Sequence, residues 1–244
     1  MILSKRAPLP DPKSLPSRHE VLLMEHDARG TGRPGSLAAA SRERTRVSEV
    51  TVGCVYFAKP GEHNTARVLG IARQRAEDLH IGSVLVASTR GDTGTRAAEL
   101  FKGFNLVVVS HSAGFREPNH QELSEANRRL IEAAGARILT CQHAFGGVGR
   151  AVRKKLKTYE LEEIVAYTLR VFGEGTKVIC EMALMAVDAG MIRSHEPVIG
   201  IAGTSRGADT ALVVDPTNAQ TFFDMRIMEI LCKPRFAPEE SQNA

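Results

Sequence analysis

The densest chemistry in this chain lies in VASTRGDTGTRAAELF, residues 86–101. An apolar run ends at Ala87. Ser88, Thr89, Thr93 and Thr95 then alternate with Gly91 and Gly94 before helical spacing sets in near Thr95. Such a turn suits an anion. The N–H groups of a first helical turn have no intrahelical acceptor, the helix dipole adds partial positive charge, glycine lets a ligand approach the backbone, and hydroxyls donate to phosphate oxygens. The rival reading is a capped strand-to-helix turn in which Thr93 or Thr95 is only the N-cap. A Walker loop is excluded, because no GK[ST] ending is present.

Three further loops carry ligand-competent residues. PGEHNT (60–65) opens a helix at Asn64 or Thr65, HAFGGVGR (143–150) places Gly147 before a helix starting near Val148, and GTSRGAD (203–209) offers Arg206 between two glycines. Arg206 suits bidentate recognition of a phosphate or carboxylate. Each loop also has a plain reading: Asn64 as an N-cap, GGVG as a turn, and GTSRGAD as a polar hairpin with a solvated arginine. Glu181 and Asp188 interrupt an apolar helical stretch seven residues apart, with Lys177 four before Glu181. Together with His143 they are the candidates for acid–base catalysis, since buried carboxylates titrate upward unless paired. The structural alternative pairs Glu181 with Lys177 or a loop amide and has Asp188 cap backbone near Gly190. His111, Ser112 and His143 read as polar residues on the rim of the fold. No serine or cysteine has a His and Asp partner at informative spacing, and no GxSxG elbow occurs.

Alternating apolar runs and helical periods must position these loops. Residues 49–57, 83–88, 105–110 and 137–141 are β-branched and apolar on both faces, as strands covered on both sides require. Val68, Ala72, Ala76 and Leu79 form one helical stripe, and Leu123, Ala126, Leu130 and Ala134 another. This βαβαβαβ order builds a parallel sheet with ligand sites beyond the carboxyl ends of its strands. The loops at 60–65, 88–95 and 143–150 then share one rim. Helices follow over 160–173 and 176–192, with Gly173 and Gly175 suited to a helix end. Short strands return at 197–203 and 209–214, and 225–234, with Arg226, Glu229 and Lys233, reads as an edge strand.

The chain has 244 residues, 43% hydrophobic and 25% charged, enough to bury a core. Its formal charge of +4 resides in residues 1–46, where nine Lys and Arg face five Asp and Glu. The neutral remainder argues against a nucleic-acid groove. The same tail holds five of the eleven prolines and no aromatic residue, so it reads as disordered. An Arg-rich organelle leader is the rival reading, weakened by Asp11, Glu20, Glu25 and Asp27. The expected organisation is a basic tail over 1–46, one α/β domain over 47–236 and a frayed end over 237–244. No secretory h-region or membrane-length apolar run occurs, so the expected address is cytoplasmic with no membrane partner. Cys54, Cys141, Cys180 and Cys232 are widely spaced, which fits buried thiols and implies no metal site.

The ordered series PGEHNT, VASTRGDTGTRAAEL, HAFGGVGRA, GTKVICEMALMAVDAG and IAGTSRGADTALVV resembles the stand-alone proteins related to the carboxyl-terminal α/β domain of pyruvate kinase. The resemblance runs over roughly residues 49–233. It implies a three-layer α/β/α fold with a mostly parallel, mixed sheet. It also implies a phosphate contact, because the loop resembling 88–95 receives a phosphate of the sugar bisphosphate activator in pyruvate kinase, and stand-alone relatives are similar to proteins seen with flavin mononucleotide (FMN). Ser88, Thr89, Gly91, Thr93, Gly94 and Thr95 are then expected to hold the phosphate, with Asn64, Thr65, Gly147 and Arg206 completing the pocket. Kinase activity is not implied, since it resides on a (β/α)₈ barrel of roughly 250 residues. His63 and Ser205 depart from the acidic residue and glycine expected in their motifs. The rival functions are an FMN-dependent or phosphoester-processing enzyme and a ligand-regulated homo-oligomer.

Overall fold

The computed structural model describes residues 49–235. The expectations for the 1–46 tail, with its leader alternative, and for 237–244 lie outside these residues.

Seven strands form one mixed sheet in the order β1-β7-β6-β5-β2-β3-β4. They are β1 (Val55–Phe57), β2 (Ser83–Ala87), β3 (Asn105–Val109), β4 (Arg137–Leu139), β5 (Val198–Ala202), β6 (Thr210–Asp215) and β7 (Arg226–Pro234). Strands β5, β2, β3 and β4 run parallel, as do β1 and β7. Only β6 runs against its neighbours. The helices are α1 (Thr65–Asp78), α2 (Asp92–Leu100), α3 (Glu125–Ala133), α4 (Val148–Leu156), α5 (Leu161–Arg170) and α6 (Glu174–Asp188). None is long and apolar enough to cross a membrane among the described residues.

Strand alternation divides the core into two layers. Val84 and Val86 of β2, with Val108 of β3, face Val68, Leu69 and Ala72 of α1, Ala97 of α2 and Ile131 of α3. Leu85 and Val107 point the other way, onto Ile179, Met182, Ala183 and Ala186 of α6. Period two in the strands and period three to four in the helices thus yield the three layers. Helix α6 is buried along nearly its whole length because α5 covers its far side through Ala166, Cys180 and Leu184. It sits unusually close to the sheet. A Cβ at Gly200 of β5 would overlap Ile179 Cγ2, and one at Gly175 would overlap Thr210.

Four sequence expectations need correction. Only Val55–Phe57 of the first apolar run is strand. The stripe on α3 passes through Ile131, fully buried, rather than Leu130, 60% exposed; Leu123 is buried ahead of the helix, whose N-cap is Ser124. Gly175 is the second residue of α6, in its first turn and not at a helix C-terminus, and the turn glycine is Gly173, at φ 121°. Strand β7 lies between β1 and β6 instead of at an edge. Its charged first half pairs only with β6, whereas Cys232–Pro234 also pair with β1, which explains the edge-like composition.

Candidate functional site

The parallel strands deliver their carboxyl-terminal loops to one side of the sheet, and these loops enclose a cavity of about 580 Å³. The volume is that of a small-molecule site. Antiparallel β6 adds to it, because the β5–β6 hairpin turns at the same end. That hairpin is tied to the loop after β1 by Asp209, fully buried, whose Oδ2 accepts N–H bonds from Gly61 (3.0 Å) and Thr204 (3.1 Å). Thr65 Oγ1 completes the clasp by accepting the Ala208 N–H at 3.0 Å.

Helix α2 opens at Asp92, three residues earlier than the spacing predicts, with Gly91 as its left-handed N-cap at φ 103°. Neither Thr93 nor Thr95 is the N-cap. The capping oxygen comes from the preceding strand end: Ser88 Oγ accepts the Gly94 N–H at 2.9 Å. Thr95 N–H enters the helix ladder at Gly91 O. The N–H groups of Asp92 and Thr93 are the ones a helix leaves without an intrahelical acceptor.

Of the predicted site residues, Thr65, Ser88, Thr89, Thr93, Arg206, His143 and Glu181 line the cavity. Asn64, Gly91, Gly94, Thr95, Gly147 and Asp188 are not in its lining. Asn64 is buried and donates to Lys59 O at 2.8 Å. Gly91 and Gly94 serve packing: a Cβ on Gly91 would press into Asn127 of α3, and one on Gly94 would lie 2.8 Å from Val108 Cγ1. Thr95 Oγ1 donates back to Asp92 O at 3.0 Å. Gly147 lies against Gln142, whose amide would overlap a Cβ. Asp188 does not cap backbone near Gly190. It accepts from Asn218 Nδ2 (2.8 Å) and Ala219 N–H (3.3 Å), so it caps the short 3₁₀ helix Ala219–Asp224, beside a second and largely apolar cavity.

Electrostatically the cavity is cationic. Arg206 faces Glu62 (3.5 Å) and Asp92 (3.9 Å), Arg116 faces Glu122 (3.1 Å), Arg170 faces Glu174 (2.6 Å) and Lys177 faces Glu181 (2.6 Å). Arg90, Arg96 and Arg150 line the cavity with no carboxylate partner among the described residues. Arg150 instead lies over the Phe115 ring, 4.5 Å from its centroid. Phe115 in turn stacks on His111 at 4.0 Å and 29°.

The floor is a buried polar network. Glu181 Oε1 accepts the Phe145 N–H at 2.9 Å, and Oε2 accepts from Lys177 Nζ at 2.6 Å, with His143 Nδ1 3.6 Å away. Both structural alternatives for Glu181 are therefore realised together. Burial pushes its carboxyl up, but the nearby His143 and the charge and bond of Lys177 outweigh that and hold it at about 2. His143 Nε2 is buried without a hydrogen-bond partner among the described residues. Packed against His143 with ring centroids 5.4 Å apart, His111 donates its Nδ1–H to Glu122 Oε2 at 2.6 Å, and Thr89 Oγ1 lies 3.4 Å from His111 Nε2. Burial lowers the His111 pKa more than the Glu122 bond raises it, and the charges of His143 and Arg116 lower it further.

Sequence reasoning missed Asp209, Glu122, Phe115 and the unpaired arginines. Asp209 was within reach, as an acid closing a glycine-rich hairpin between apolar strands. Glu122 and Phe115 lie in an irregular segment without periodicity, and only the fold brings them to His111.

The geometry defines a three-layer α/β domain with a ligand-sized cleft at the carboxyl ends of its parallel strands. The chain belongs to the family of the pyruvate kinase α/β domain, whose model matches residues 66–214. Solved structures to which it is similar include a pyruvate kinase from Cryptosporidium parvum, at 13% identity and TM-score 0.34, covering 62% of this chain and 23% of that one. A Cryptosporidium parvum pyruvate kinase in complex with ADP matches at 13% identity and TM-score 0.32, covering 68% of this chain and 23% of that one. This chain thus spans less than a quarter of the length of those structures.

Proposed function

We propose that this protein binds a phosphorylated small molecule in the cavity at the carboxyl ends of the strands, with FMN the leading candidate. The observation that carries the reading is the convergence of an α2 amino terminus with Arg90, Arg96 and Arg150, none of them neutralised by a carboxylate among the described residues, in one cavity of about 580 Å³. A dianion there gains the dipole and charge-assisted hydrogen bonds at once. Thr89 and Thr93 supply hydroxyl donors beside the same helix start. His111, Phe115 and His143 form an aromatic cluster on the cavity wall, with Arg150 over the Phe115 ring. FMN itself enters through the sequence resemblance.

The test is the visible spectrum and native mass of freshly purified protein, followed by titration calorimetry with FMN, sugar phosphates and inorganic phosphate. Bound or titrating phosphate ligand supports the reading. A colourless, ligand-free protein that ignores all three removes it. We also propose self-association through α5 and its C-cap, where Leu161 and Val171 are 71% and 80% exposed, and light scattering with and without ligand tests that. A cytoplasmic address is proposed on the four free thiols.

A further inference from the structure

The wall of the cavity formed by Glu122, His111 and Thr89 is arranged as a proton relay. A carboxylate can only accept, so Glu122 fixes the proton of His111 on Nδ1 and leaves the Nε2 lone pair aimed at a hydroxyl. This is the order of parts that activates a hydroxyl nucleophile: hydroxyl, imidazole, then an orienting carboxylate. Thr89 Oγ1 and His111 Nε2 are 3.4 Å apart, a loose contact that proton transfer must shorten. The sequence conceals it, because Thr89 lies on the β2–α2 loop, His111 and Glu122 lie eleven residues apart in the irregular β3–α3 connection, and the nucleophile is a threonine. Phe115, stacked on the imidazole, holds its plane. Glu122 also carries Arg116 on its other oxygen at 3.1 Å, and is itself 12% exposed. Thr89 lies two residues before Gly91, the α2 N-cap, and lines the same cavity as Asp92 and Thr93.

We propose that the cavity is catalytic, hydrolysing a phosphomonoester with Thr89 as nucleophile and His111 as the base oriented by Glu122. The proposal rests on the phosphate-binding reading above. In the first half-reaction, Thr89 Oγ1 attacks phosphorus, its proton passes to His111 Nε2, the P–O bond to the substrate alcohol breaks, and the imidazolium returns that proton to the leaving alkoxide. In the second, water attacks phosphothreonine, gives a proton to His111 Nε2, and the P–Oγ bond breaks as the imidazolium reprotonates Thr89. The net change is one water consumed, with an alcohol and inorganic phosphate released. The groups facing His111 are Thr89, Glu122, Arg116 and His143. Burial keeps the imidazole neutral at neutral pH, as a base must be.

The experiment incubates the full chain with p-nitrophenyl phosphate and with FMN, follows phosphate release, and maps acid-quenched protein by mass spectrometry for phosphothreonine at Thr89. Release with an adduct at Thr89 is expected. His111→Gln should reduce turnover by roughly 100-fold or more, and Thr89→Ser should retain it with the adduct moved to the serine. The rate should fall on acidification through a pKa below the ordinary imidazole value of 6.5 and should be altered by Glu122→Gln. Calorimetry with inorganic phosphate on the same preparation separates the two readings. Phosphate binding with neither release nor adduct overturns the relay and leaves the binding function standing. Failure to bind inorganic phosphate, FMN and sugar phosphates alike, in a protein purified free of ligand, overturns both. Release that is unchanged in His111→Gln overturns the assignment of the base.

Discussion

Replacing Lys177 by methionine isolates the energetics of the cavity floor. Lys177 and Glu181 are 4% and 3% exposed, so the variant removes the cation and leaves a carboxylate buried with only the Phe145 N–H and His143 beside it. Breaking one side of a buried pair costs about 3–5 kcal/mol. His143 and Lys177 together hold the Glu181 carboxyl at about 2 against an ordinary 4.5, a difference worth about 3 kcal/mol at 1.36 kcal/mol per unit, of which Lys177 supplies a part. For a depressed carboxyl this stabilisation is complete above pH 4.5 and is lost as pH falls toward 2. Urea denaturation should therefore show Lys177→Met less stable than the parent by roughly 3 kcal/mol near neutrality, with the gap closing below about pH 4. Adding Glu181→Gln should restore part of the loss, because the amide oxygen still accepts from Phe145 and the stranded charge is gone. A single variant as stable as the parent, or a gap that does not change with pH, would show that the pair carries no such energy.

Ser88→Ala removes the acceptor of the Gly94 N–H, a buried bond, and should cost about 1–2 kcal/mol. That corresponds to a fall in Tm of roughly 2–8 °C, and an unchanged Tm would contradict the capping role. Gly200→Ala drives a methyl into Ile179 Cγ2 and should cost about 1–3 kcal/mol. Ile179→Ala in the same chain should then cost less than it does alone, which a double-mutant cycle reads directly. Burial pushes the Cys180 and Cys232 thiols up to about 12. Iodoacetamide at pH 8 should leave both unmodified in the folded protein, and peptide mapping that finds rapid alkylation at Cys180 would refute this.

The fold class could be read because its signals are local. Val84, Leu85 and Val86 are apolar on both faces of β2 and can only be a covered strand, and Val68, Ala72 and Ala76 mark one buried side of α1. The misread details share a cause: neighbouring residues of equal hydropathy, decided by packing. Leu130 and Ile131 cannot be ranked from sequence, and β7 looks like an edge because β1 covers so little of it. The cavity was legible as loops and not as contacts. Thr89 and Arg206 reach it, whereas the glycines of the same motifs answer to α3, to Val108 and to Gln142. What glycine spacing signals is close approach, and it does not say of what.

The clasp at Asp209 has a consequence for how ligand preference in this domain can be altered. Because that carboxylate is shared between the segments 60–65 and 203–209, transplanting either segment alone would strand amides in its counterpart and unsettle both. Divergence in selectivity on this side of the mouth must therefore be inherited in matched sets. His63 and Ser205, one in each segment, take no part in the clasp, so point changes there leave it intact, whereas exchange of a whole segment does not.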